Sequence, residues 1–199
     1  LRGKGDDMQT YLGRPELKAA FLSEIAKHEE ADAIVKGTYG DFDGAFRGCA
    51  IGCSLHSLNA IQGRVGEALL EDTDVHDRYE LELGLPTWLA YLEEYLFETL
   101  PIDLARTWPR RFAEAIPVGA VIGDRERAQI LHWTLVHEIY GVTHATTDPE
   151  IQGHIAIIAT ALAADISGGA TAEQREAAAR AAGAAWDARA AGAAWRALA

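Results

Sequence analysis

From Thr87 to Leu100 the apolar residues Trp88, Leu89, Leu92, Tyr95, Leu96 and Leu100 recur at intervals of three and four, and Pro101 follows. That spacing puts one face of an α-helix into a core, and the proline stops the helix. The same rhythm returns along the chain. Leu17, Phe21, Ile25 and Ile34 share one side of a segment opened by Pro15 and closed by Gly37, so a helix is expected over about 15–36. A further helix is expected from about Gly48 to Leu58, and another in the second half of Glu71–Glu82, ended by Gly84 and Pro86. Asp103–Ala115 reads as one kinked helix or two short ones, because Pro109 lies inside it. Asp124 and the Asp148-Pro149 pair each mark a helix start, with Ile130, Leu131, Leu135, Val136 and Ile139 following the first and an apolar run to Ile166 the second. No stretch alternates apolar and polar residues with β-branched enrichment. The expected fold is all-α, an irregular bundle of six to eight helices.

Domain organisation follows from the C-terminal composition. After a glycine break at Ser167–Ala170, Thr171 opens an alanine-rich segment holding a nine-residue repeat, ARAAGAAWD over 179–187 and ARAAGAAWR over 188–196. Nine residues at 100° each amount to half a turn beyond two, so Trp186 and Trp195 are expected on opposite sides of one helix. Such a helix buries little alone. Two parts are therefore expected, a helical domain over 8–167 and a C-terminal helix over 168–199 that lies on the body or on another copy. Leu1–Asp7 is given no structural role.

Charge narrows the partners. The 199 residues carry 18 Lys and Arg against 30 Asp and Glu, a net −12. The tail from Thr171 has four arginines against three acids, so the first 170 residues carry −13. Such a surface repels phosphates, and a nucleic-acid partner is not expected. The longest apolar run, Ile155–Ala164, is too short for a bilayer span, and no membrane association is expected. Two cysteines four apart are no secreted disulfide framework, and no basic and apolar leader pattern opens the given sequence, so a reducing cytoplasm is expected.

The densest group of chemically special residues is GDFDGAFRGCAIGCSLH, Gly40 to His56. On a helix Cys49, Cys53 and His56 share a face. Two thiolates and an imidazole suit zinc or another thiophilic metal, with His76, His132 or His137 as a fourth ligand. The C-x3-C spacing departs from the usual zinc knuckle. The favoured reading is structural: Gly48, Cys49, Gly52 and Cys53 form a small-residue face that lets another helix approach. A reactive thiol would need a lowered pKa. His132 and His137 are five apart and lie on different helix faces, unlike a zinc-peptidase pair. Asp72, Asp74, His76 and Asp77, and Asp41-Phe42-Asp43-Gly44, lack the full calcium-loop pattern and read as solvated acid. No phosphate-binding glycine loop, dinucleotide fingerprint, nucleophile elbow or pair of Glu-x-x-His motifs is present.

Gly48-Cys-Ala-Ile-Gly-Cys53, His76-Asp-Arg-Tyr-Glu-Leu-Glu-Leu-Gly-Leu-Pro86, Leu96-Phe-Glu-Thr-Leu-Pro101 and Trp108-Pro-Arg-Arg-Phe112 resemble a group of uncharacterised bacterial and phage-encoded proteins with a GCAxGC motif and alanine-rich, tryptophan-containing tails. The resemblance covers most of the chain from about Leu17. It implies no activity, and it implies that the cysteine stretch and His76 travel together, a hint that they meet in space. The function expected is non-catalytic: an α-helical protein that binds a protein partner or its own copies. The motive is the missing machinery together with surplus aromatic faces, Trp88, Tyr91, Tyr95 and Phe97 around one helix and the two tail tryptophans. The alternative is a metal- or thiol-dependent site on Cys49, Cys53, His56 and His76.

Overall fold

A computed structural model describes residues 8–40, 45–64 and 75–185, with the helical backbone continuing to 198. The fold is all-α, with nine α-helices and no named strand among the described residues. They are α1 (Pro15–Glu30), α2 (Ala50–Ile61), α3 (Asp77–Leu83), α4 (Thr87–Thr99), α5 (Ile102–Ala105), α6 (Trp108–Ala115), α7 (Asp124–Val136), α8 (Pro149–Ser167) and α9 (Ala172–Leu198). The count exceeds the expected six to eight by one, through the short α5 ahead of α6. Pro109 sits in the first turn of α6, so the Asp103–Ala115 segment is two helices.

The chain divides into two compact units, one up to Ile122 and one from Gly123 onward. The helices α7, α8 and α9 pack in sequence on one another, so the glycine break at Ser167–Ala170 is a turn within the second unit and α9 lies on α8.

In the first unit α2 packs on α1 and α4, and α6 packs on α1 and α4. The core holds Phe21, Ile25, Ile51, Leu55, Leu58, Tyr79, Leu83, Leu85 and Phe97, all nearly inaccessible. Residues 9–12 are tied to the segment 113–121: the Thr10 backbone N–H donates to the Ala120 carbonyl (2.8 Å), and the Tyr11 hydroxyl donates to the Ala113 carbonyl (2.7 Å).

Helix α1 ends at Glu30, six residues before the expected Lys36. Asp32 takes φ 51° and turns the chain back, and Ile34 then bridges in parallel to Gly48. This return lays residues 33–39 along the start of α2. The Gly48 N–H donates to Ala33 O, the Val35 N–H to Gly48 O and the Cys49 N–H to Thr38 O.

In the second unit, Asp148 caps α8 by accepting from the N–H groups of Glu150 and Ile151. Thr171 and Gln174 form a reciprocal capping box at the start of α9. Asp124 is not the cap of α7. Gly123 is, and its N–H donates to the Glu126 carboxylate at 2.9 Å. No described helix is long and apolar enough to cross a membrane.

Candidate functional site

The N-terminus of α2 is set by a close backbone approach. A Cβ on Gly52 would lie 1.7 Å from the Tyr39 carbonyl oxygen, and one on Gly48 2.8 Å from it. The small-residue face expected to receive a helix therefore receives the 37–39 loop. Cys49 is the N-cap of α2, its sulfur accepting from the Gly52 N–H at 3.5 Å. Cys53 donates its thiol to the Gly48 carbonyl at 3.3 Å. Both thiols are buried and free. Burial pushes Cys49 up to about 11 and Cys53 further still, the opposite of what a nucleophile or metal-binding thiolate needs.

His56 turns to other partners. Its ring stacks on Phe46 (centroids 4.1 Å, 14° between planes) and meets His28 edge-on at 5.0 Å. Burial, and then the neighbouring His56, lowers His28 to about 4, and burial lowers His56 as well. His76 precedes α3. Its Nε2 lies 2.8 Å from Glu94 Oε2, and its ring stacks on Tyr91 at 3.8 Å. No group of three or more His, Cys, Asp or Glu side chains able to hold a metal ion occurs among the described residues. Among the described residues Cys49, Cys53, His56 and His76 form no such group: the sulfurs are buried against backbone groups, the His56 ring stacks on Phe46 and the His76 ring on Tyr91. His137 and His132 lie in the second unit, His137 just past the end of α7 and stacked on Tyr140. Asp72, Asp74 and the 41–44 stretch lie outside the described residues, as do the side chains of Trp186 and Trp195.

The cysteine stretch and α4 meet at a cleft of about 250 Å³ lined by Gly37, Thr38, Tyr39, Cys49, Glu94 and Glu98. Glu94 and Glu98 are one turn apart on α4. Glu98 accepts from the Gly37 N–H at 3.1 Å, and Glu94 holds His76. Cys49 and the partner of His76 therefore line one cleft, and the Tyr39 ring reaches His76 edge-on at 6.3 Å.

Behind that wall lies a residue the sequence reading passed over. Glu93 is 2% exposed, and its Oε2 accepts from the Tyr79 hydroxyl at 2.8 Å. Burial raises its pKa to about 8, against the lowering effect of the Tyr79 hydrogen bond and with a smaller raising effect from Glu94. A signal existed: Leu89, Glu93 and Phe97 fall four apart, so Glu93 sits in the buried stripe of α4.

The second unit differs in kind. Its buried apolar residues, among those described, are Ala128, Ile155, Ala159, Ala161, Ala170 and Ala181. Eight of its described large apolar side chains are exposed, Ile130, Leu131, Trp133, Val136, Ile139, Tyr140, Val142 and Ile157, while Leu135, Ile151, Ile158, Leu162 and Ile166 are half-buried. Trp133 is 52% and Tyr140 73% exposed, with the His137 ring against both. The His137 Nδ1 accepts from the N–H groups of Ile139 and Tyr140, which fixes this corner after α7. A cleft of about 620 Å³ in the same unit is lined in part by Arg125, Arg127 and Arg175, and Arg175 pairs with Asp165 at 2.7 Å.

Compared with protein-family models, with curated proteins and with solved structures, the chain matches none.

Proposed function

We propose that the protein works by associating with its own copies through the C-terminal unit. One observation carries this reading: among its described residues the unit buries five alanines and one isoleucine while eight large apolar side chains stay exposed. Alanine removes little apolar area from water, so helices α7–α9 gain little by packing only on each other. A side chain of Trp, Leu or Ile gains roughly 1.5–3 kcal/mol on full burial. An interface over Ile130–Val142 would collect a share of that gain seven times, with Trp133 and Tyr140 as aromatic anchors.

Charge favours a like partner. Residues 123–199 hold six arginines against nine acids, a net −3, whereas residues 1–122 hold twelve basic against twenty-one acidic residues, a net −9. Two copies meet with least repulsion through the less charged unit. The nine-residue repeat offers the same residue series twice along α9, on opposite sides.

Light scattering on the eluting full-length chain tests the reading with the double variant Trp133→Ser, Tyr140→Ser. The expected result is a dimer or larger species that dissociates at least about tenfold more readily in the variant, with unchanged helical circular dichroism. Equal masses for the two proteins at every concentration would refute it.

A further inference from the structure

We propose that His137 makes the self-association acid-sensitive: its neutral ring locks the corner that presents Trp133 and Tyr140, and protonation unlocks it. The inference rests on the association proposed above and names how that surface is regulated.

The corner after α7 is built on this one residue. The His137 Nδ1 accepts from the N–H groups of Ile139 (3.2 Å) and Tyr140 (3.1 Å). Its carbonyl accepts from the Gly141 N–H at 2.8 Å and lies 3.2 Å from His144 Nε2. A Cβ on Gly141 would lie 2.6 Å from that same carbonyl oxygen, so the chain closes tightly back on His137. The half-buried ring stacks on Tyr140 (centroids 5.2 Å, 16° between planes) and meets Trp133 at 4.6 Å. The ring that shapes the turn thus touches both aromatic anchors of the proposed interface.

A ring nitrogen that accepts two N–H groups carries a lone pair, so the neutral ring holds its proton on Nε2. The imidazolium has a proton on both nitrogens and accepts nothing. Protonation therefore turns an acceptor shared by two donors into a third donor aimed at them, and both bonds are lost together. The aromatic contacts pull the other way, since a cation is attracted to a ring face. That attraction depends on the turn, because the Tyr140 ring is carried by the backbone the two bonds hold, and so it does not keep the corner closed.

The surrounding titratable groups leave the switch to His137. Among the described residues no carboxylate pairs with its ring. His144 donates from Nε2 whether neutral or charged, so its own protonation spares the corner. Glu138 is next in the chain and exposed, and His132 lies five residues back on another face of α7. At the start of α8, Asp148 is engaged by the N–H groups of Glu150 and Ile151, and Glu150 faces His154 at 3.9 Å. The sign is also distinctive. The chain carries −12 with a pI near 4.9, so mild acid lowers the charge of each copy and on general grounds favours association. His137 works against that trend.

The test is sedimentation velocity of the full chain and of His137→Asn at about pH 7.5 and about pH 5.5, the range in which imidazoles change charge, at constant ionic strength. Asparagine offers a side-chain oxygen to the N–H groups two and three residues on and does not titrate. We expect the natural chain to associate at least about threefold more weakly at the lower pH, while His137→Asn holds or gains affinity. The same pH dependence in both chains would overturn this inference and leave the association standing. Monomers at both pH values in both chains would refute the association itself, and this inference with it. Imidazole nitrogen shifts from nuclear magnetic resonance give a readout free of association: the Nε2–H tautomer is expected for His137 at neutral pH, and the Nδ1–H tautomer would overturn the switch.

Discussion

Glu93 is the residue whose placement has the sharpest consequence in solution. It lies in the core stripe of α4 with the Tyr79 hydroxyl as hydrogen-bond donor. Its folded pKa is about 8 against the ordinary 4.5, chiefly through burial. Between those values the folded chain holds a proton that the unfolded chain has released, so stability falls as pH rises from about 4.5 to about 8. His28 acts with the opposite sign. Its folded pKa near 4 lies below the ordinary 6.5, so the unfolded chain binds the extra proton and stability is lost as pH falls through that window. The two oppose each other between about pH 4.5 and 6.5 and nearly cancel there, so the net loss of stability is expected above about pH 6.5. Urea midpoints between pH 4 and 9 should show it. Glu93→Gln should flatten the alkaline limb and raise stability at pH 8–9 by on the order of 1–3 kcal/mol. An alkaline limb unchanged in Glu93→Gln would show that this carboxyl is not held in the core as described. Little of this was legible beforehand, because a glutamate beside Glu94 in an acidic chain reads as solvated surface until the packing of α2, α3 and α4 is known.

At the scale of the element, α2 is defined by what lies across its first turn. The sequence marked Gly48 and Gly52 as sites of close approach, and so they are. The approaching partner is the Tyr39 backbone, which no helical periodicity could have announced. The reason lies upstream. Asp32 takes a left-handed conformation, ends α1 early and returns the chain to pair with Gly48. Gly52→Ala forces a methyl group into a carbonyl oxygen, and the loop must move. We expect a loss of about 2–4 kcal/mol for Gly52→Ala and less for Gly48→Ala, read from chemical denaturation. Equal and small effects at the two positions would contradict the docking. Other element boundaries were plain from local chemistry: Pro15, the Asp148-Pro149 pair, Gly84 and the Thr171-to-Gln174 box stand where the rules for helix ends put them. Thr87 is the first residue of α4, and its hydroxyl donates to Asp77 and Glu80 of α3.

At the scale of the molecule, two units of unlike composition share one chain. The first has a core of large side chains, −9 of charge and the cleft at Glu94 and Glu98. The second is alanine-packed, near neutral and apolar outside. The surplus of aromatic surface was visible in the sequence, but its distribution was not. Phe97 went into the core of the first unit, and the largest exposed series settled on α7 and the turn after it, where periodicity alone had suggested a buried face. A face of that kind on a lightly charged unit is the basis for the proposal that the protein self-associates. Sedimentation velocity of the full chain between about 1 and about 100 μM at neutral pH measures this directly. The account predicts a weight-average mass that rises with concentration from 21.5 kDa toward at least twice that value. A mass fixed at 21.5 kDa over the whole range would contradict it.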